Sequence, residues 1–500
     1  MKKMSFLVLA IIVLGVLEAG PLTAQQGETR RTVGDVPDVA ETASVTHNSV
    51  RIAGRSIAYT ATAGTYVMRE DDGTPLASIF FMSYMKDDVD DHSTRPLLFS
   101  FNGGPSTASV WLHMGVLGPR RVVADPDGFA LQPPYEIVDN EYSILDVADV
   151  VFIDPVATGY SRMVPGQDEH AFHGTMEDIA SLGDFIRLWV SRNQRWESPK
   201  FLIGESYGTV RASGLAGYLQ DTYQMFLNGV ILVSMTELNV DLGSDLNYAL
   251  ILPHYTATAW YHQALPAELQ NRPLRDLLDE VEEFALGDYL HALALGGYVP
   301  AAEKADIVRR LARYSGLSEE YVEDTNLRID RGRFRKELLR DRGLTVGRLD
   351  SRYTGHDRDS AGESIEYDPA IADWEGTFSG VFNQYIRSEL GYETDMPYNI
   401  WGNVGSWRRD QRVNVGEMLR SAMTYNPYLQ VHITEGYYDA ACDYFTAEYV
   451  FSHLDLTGEL RDRIHFSYYE SGHMMYIHLP SLEQMKNELT AFIQGALAER

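Results

Sequence analysis

A serine held between two glycines is the residue in this sequence with the clearest chemistry. Gly204-Glu205-Ser206-Tyr207-Gly208 has the G-x-S-x-G pattern of a nucleophile elbow. A strand turns abruptly into a helix there, which forces the serine into a strained conformation. The small residues on either side let the backbones pass, and the hydroxyl stands exposed above the sheet. In a chain with 41 glycines the pentapeptide alone is a weak signal, but its flanks strengthen it. Apolar Phe201-Leu202-Ile203 leads in, and the small-residue stretch 212–217 leads out. A serine nucleophile also needs a base and an acid to orient that base. In elbow-type folds these come later, acid before histidine. Two loops after strand-like runs supply them: Gly436-Tyr437-Tyr438-Asp439 and Ser471-Gly472-His473-Met474. His473 would take the proton of Ser206 and pass it to the leaving group. Asp439 would fix the tautomer of His473. On spacing alone, Asp443 rivals Asp439 and His478 rivals His473.

The elements that must position these groups are legible as alternating strands and helices. Short runs rich in Ile, Val, Thr, Tyr and Phe from 49 to 85, punctuated by Gly54, Gly64 and Gly73, read as antiparallel strands. Buried-type strands follow at 97–99, 150–153, 201–203 and 230–233. Helices are expected at 176–192 and 210–220, with Ile179, Leu182, Phe185, Ile186 and Val190 at helical spacing. This alternation predicts an α/β fold, a mostly parallel sheet with helices on both faces. Residues 240–400 are expected to form a helical cap insertion containing a long polar loop at 341–370. Strands resume at 429–433 and 464–469, and an amphipathic helix at 482–497 closes the chain. The expected organisation is a signal peptide at 1–24, a flexible lead-in at 25–48, the two core parts at 49–239 and 401–500, and the cap between them.

Composition narrows the function classes. The 500 residues are 45% hydrophobic and 23% charged, as in a globular protein. A formal net charge of −29 argues against nucleic acid and anionic membrane surfaces as partners. Lys2, Lys3, the apolar run 6–17, Pro21 and Ala24 have the layout of a secretory signal, so an exported, periplasmic or extracellular, enzyme is expected. No later segment resembles a membrane span, so stable membrane insertion after signal removal is not expected. The single cysteine, Cys442, excludes an intrachain disulfide.

Four ordered blocks together resemble the serine carboxypeptidases, the group of carboxypeptidase Y and cathepsin A. They are Asn102-Gly103-Gly104-Pro105 with Leu117-Gly118-Pro119 after it; the stretch from Asp154 to Ser161; the elbow; and the two loops bearing Asp439 and His473. The resemblance implies an α/β-hydrolase fold and a Ser206–His473–Asp439 triad. It implies an acyl-enzyme route that releases C-terminal residues from peptides, with no metal and no organic cofactor. The main-chain N–H groups of Gly104 and Tyr207 would form the oxyanion hole. Asn102, Gly103 and Glu205 would hold the substrate carboxylate, and Cys442 and Met474 would line the leaving-group pocket. Two acids in contact cannot both stay ionised cheaply, so such a site should favour acidic conditions. Departures from the family pattern are Ser100, Ser106, Tyr476 and above all Val116, which replaces a second glutamate that pairs with the first. His113 or an arginine of the insertion could compensate. The loss at Val116 keeps open a related acyltransferase or esterase with the same triad. The absence of the family's disulfides fits a bacterial-type member.

Overall fold

A computed structural model describes residues 39–498 except 239–242, 406, 409, 411, 412 and 457. The expected signal segment and most of the lead-in lie outside the described residues. The central sheet contains β1 (Ala43–Ile52), β2 (Arg55–Arg69), β3 (Pro75–Lys86), β4 (Leu97–Phe101), β5 (Asp149–Ile153), β6 (Lys200–Glu205), β7 (Gly229–Val233), β8 (Gln430–Gly436) and β9 (Ile464–Tyr469). Their order across the sheet is β1-β2-β3-β5-β4-β6-β7-β8-β9, with the two-residue strand Arg162–Met163 added on β3. The first three strands and the β3/β5 pair are antiparallel, and every later pair is parallel.

Strands β4, β5, β6 and β7 are buried along their whole length because helices cover both faces, whereas the edge strand β9 is only half-buried. Side chains alternate between the faces as the pleat requires. Leu98, Val150, Phe152, Phe201 and Ile203 join one apolar cluster, and Leu97, Phe99, Val151, Ile153 and Leu202 join the other. The second face is covered by α1 (Thr175–Arg192) and α2 (Tyr207–Tyr223). The first is covered by α3 (Pro369–Ser388) and α4 (Leu479–Ala498).

Three expectations need correction. β1 begins at Ala43, inside the stretch 25–48 expected to be a flexible lead-in. Pairing with β2 fixes it, from Ala43 opposite Gly64 to Ile52 opposite Arg55. Helix α3, expected in the cap, instead buries Trp374, Phe378, Phe382 and Tyr385 in the sheet's first cluster. The stretch 341–370 is more than a polar loop. It carries the small hairpin Thr345–Val346/Thr354–Gly355, and Leu349, Asp350, Ser351, Arg352 and Tyr353 are buried. The helices of 244–337 have an apolar cluster of their own, which also takes in Tyr437, Tyr438, Tyr444 and Phe445. The cap is thereby packed onto the loop that bears Asp439.

Candidate active site

Ser206 lies between the end of β6 and the start of α2, with φ 60° and ψ −127°. A non-glycine residue in that region is strained and persists only where its surroundings over-determine it. Here the Ser206 N–H donates to the Val233 carbonyl at 2.9 Å, and the Ser206 carbonyl accepts from Thr209 N–H at 2.8 Å. A side chain on Gly204 would collide with the Gly208 carbonyl, which is why the elbow needs a glycine there.

Asp439 and His473 come together from the loops after β8 and β9. His473 Nδ1 lies 2.6 Å from Asp439 Oδ2, and both residues are buried. The other carboxylate oxygen accepts from the N–H groups of Ala441 at 2.7 Å and Cys442 at 3.0 Å, which locks the orientation of the acid. A carboxylate facing Nδ1 requires the proton there, so Nε2 carries the free lone pair. Burial opposes charge on His473, but Asp439, by charge and hydrogen bond, and then Glu205 outweigh it and raise its pKa. The two rivals have other partners. Asp443 caps the helix Tyr444–Ser452 and pairs with Arg331 at 2.8 Å. His478 is bonded to Ser481 at 2.8 Å.

Ser206 and His473 line one cavity of about 220 Å3, with Asn102, Gly103, Gly104, Glu205 and Met474. No hydrogen bond joins the serine hydroxyl to the imidazole in this structure; catalytic bonds of this type commonly tighten only with substrate in place. A side chain on Gly103 would strike the Tyr207 main-chain nitrogen, so the glycine turn lies directly against the first N–H of α2. Tyr207 presents its main-chain nitrogen to the glycine turn. Its ring points away and packs edge-on against Trp407 at 5.6 Å. Cys442 lines a neighbouring cavity of about 570 Å3, with Glu237, Arg331 and Asp443. Ligand atoms of Asp439, Cys442 and His473 lie within 4.8 Å of one another. A metal there would have to break the His473–Asp439 bond. It would also have to deprotonate a thiol that burial, and then the charges of Asp439 and Glu435, push well above its ordinary range.

Glu205 is buried, and the Tyr476 hydroxyl donates to its Oε2 at 2.6 Å. Burial raises the Glu205 pKa to about 7. His473, the Tyr476 hydrogen bond and Asn102 act in the opposite direction. Tyr476, not a second acid, is thus the side chain bonded to Glu205 Oε2. Val116 sits in the apolar cluster on the first face of the sheet. The two compensating groups suggested by the sequence fare differently. His113 is buried against the Tyr84 hydroxyl at 2.7 Å, and burial lowers its pKa to about 3, so it offers no positive charge. Arg348, from the insertion, does line the Ser206 cavity. The ring of Tyr476 fits only because Gly115 has no side chain: a Cβ there would overlap it.

Two further supports carried no sequence signal. Arg211, one turn into α2, donates to the carbonyls of Asn102, Gly103 and Pro105 and pairs with Asp178 at 2.7 Å. It ties the nucleophile helix to the glycine turn. The stretch 348–352 buckles together the loops that bear Asp439 and His473. His473 N–H donates to the Leu349 carbonyl at 2.6 Å, Ala440 N–H to the Arg348 carbonyl at 3.0 Å, and Gly472 N–H to Asp350 Oδ2 at 3.1 Å.

Residues 59–238 match the model of the serine carboxypeptidase family. Serine carboxypeptidase-like 36 of Arabidopsis thaliana is 26% identical over 185 residues, 36% of each chain. Serine carboxypeptidase-like 29 of the same plant is 30% identical over 131 residues, 24% of each chain. The chain thus aligns with about a third or less of the length of these relatives. The crystal structure of a prohormone-processing carboxypeptidase from Saccharomyces cerevisiae superposes over 87% of this chain and 91% of its own, with a TM-score of 0.52 at 15% identity. That likeness establishes a shared α/β-hydrolase fold. Residues 59–238, the segment that carries the glycine turn and the serine elbow, are thus similar to the serine carboxypeptidase family.

Proposed function

We propose that the protein is an exported serine carboxypeptidase that releases the C-terminal residue of peptides through an acyl-enzyme. Ser206 attacks the scissile carbonyl while His473 Nε2 takes its proton. Asp439 stabilises the imidazolium that forms. The N–H groups of Gly104 and Tyr207 face the developing oxyanion. His473 then delivers the proton to the departing amine, and water reverses the sequence to free the acyl product. Asn102, Gly103 and Glu205 hold the terminal carboxylate. Met474 and the neighbouring Cys442 border the leaving residue.

The observation that carries this reading is the buried carboxyl of Glu205 beside the nucleophile. Below about pH 7 it is neutral. Tyr476 occupies Oε2, so the proton is left on Oε1, able to donate to a substrate carboxylate. As pH rises through about 7, Glu205 ionises and repels that carboxylate. A blocked dipeptide with a free C-terminus should therefore lose kcat/KM across this range. The corresponding acyl ester, which has no carboxylate to hold, should keep its rate or gain as His473 deprotonates. Turnover of the ester with none of the dipeptide would instead favour the acyltransferase or esterase reading, which the Val116 replacement supports.

Tyr476→Phe makes the reading sharper. The hydroxyl favours ionised Glu205, so its removal should raise the Glu205 pKa and move the falling limb of the dipeptide profile to higher pH. A limb that stays in place, or moves to lower pH, would contradict the assignment.

A further inference from the structure

Arg348 stands on the Ser206 cavity with an exposed side chain. Its main chain is fixed: its N–H donates to Asp368 Oδ1 at 3.0 Å, and its carbonyl accepts from Ala440. Among the described residues no carboxylate pairs with its guanidinium, whereas the nearby Arg331 and Arg352 hold Asp443 and Asp350. Asp368 directs its two oxygens at the main-chain N–H groups of Arg348, Leu349 and Ala370. The charge of Arg348 is nevertheless felt at the reacting groups, where it disfavours protonated His473 and favours the Cys442 thiolate.

In a chain with a formal net charge of −29, an unpaired cation at the nucleophile's cavity calls for a role. The surrounding field repels anions, so an acidic substrate would need a local positive charge to seat it. A guanidinium offers a carboxylate two parallel N–H donors. The cavity walls beside it include Leu349, Ile371 and Trp401, which reduce competition from water.

We propose that Arg348 selects substrates bearing a second carboxylate next to the scissile bond, an aspartyl or glutamyl side chain on either the acyl or the leaving residue. This rests on the hydrolase reading of the cavity, and it is separate from the terminal carboxylate assigned to Asn102, Gly103 and Glu205.

The test compares wild type with Arg348→Gln, Arg348→Lys and Arg348→Glu on blocked Ala-Ala, Glu-Ala and Ala-Glu dipeptides, and on a succinyl and a butyryl ester of the same phenol. Arg348→Gln should lower the acidic-to-neutral ratio of kcat/KM about tenfold, the low end for a charge-assisted pair in a part-exposed site. Whether Glu-Ala or Ala-Glu responds identifies the side of the bond. Arg348→Lys should fall between wild type and Gln, and Arg348→Glu should push the acidic-to-neutral ratio below that of Gln. A ratio that does not move, or an equal loss on all three dipeptides, overturns the proposal; the equal loss would assign Arg348 to the terminal carboxylate. If wild type cleaves no dipeptide, the peptidase reading fails on its own, and the succinyl-to-butyryl ratio still reports on Arg348.

Discussion

Asp439→Asn is expected to lower kcat by about four orders of magnitude while leaving the fold intact, the size of effect known for this substitution in another Ser-His-Asp triad. The reason is the tautomer. Asp439 Oδ2 faces His473 Nδ1 at 2.6 Å, and Oδ1 is held by the N–H groups of Ala441 and Cys442. In the asparagine variant the carbonyl oxygen is retained by those two N–H groups, so the amide NH2 turns to Nδ1. It donates where it formerly accepted, and the imidazole proton is driven to Nε2, where a base for Ser206 needs a lone pair. Ser206→Ala should cost at least as much, and the double variant little more than the worse single one, because the groups act as a unit. The check is steady-state kinetics on an acyl ester, with circular dichroism to establish folding. A double variant whose losses multiplied would mean that the two residues act independently, and the triad would fall.

Arg211→Met is expected to destabilise the protein by roughly 3–5 kcal/mol, the range for removing one partner of a buried ion pair. It should also lower kcat by about two to three orders of magnitude, as loss of an oxyanion donor does. Arg211 is fully buried, neutralises Asp178 and donates to three carbonyls of the turn that carries Gly104. Without it the turn loses its anchor and Asp178 is left uncompensated. Burial already raises the pKa of Asp178, with Arg211 opposing. Removing the arginine raises it further. An acid whose folded pKa lies above its unfolded value loses stability as pH rises past the unfolded value, so the damage should be larger at neutral than at acid pH. Arg211→Met/Asp178→Leu removes the orphaned charge and should recover much of the stability but little of the activity. Recovery of both together would show that Arg211 has no part in placing the oxyanion turn.

The serine elbow and the alternation of strands with helices were legible because each depends on residues close in the chain. An elbow needs glycines two positions either side of its serine. A strand covered on both faces needs an unbroken apolar run, as in Val150-Val151-Phe152-Ile153. The fold class followed, and so did the loops that bring Asp439 to His473, since a parallel sheet gathers its post-strand loops at one end. The errors at β1, α3 and the stretch 341–370 share a cause. The polar alternation of 43–48 is a strand only because β2 lies beside it. The apolar face of 369–388 fits cap or core equally well until the packing is known. Asp350 and Arg352 look like surface charges until they are buried against Ser471 and Gly472.

The groups around the nucleophile belong to that second class. Tyr476 registered only as a departure from a pattern, yet its hydroxyl meets a carboxyl 271 positions away. Arg211 reaches back over more than a hundred residues to the glycine turn. Arg348 arrives at the cavity from the insertion. Periodicity and local turn chemistry report a residue's neighbours along the chain. Proton sharing, ion pairing and the placement of an unpaired charge depend on neighbours in space, and those are set only when the sheet, the cap and the loops have packed together.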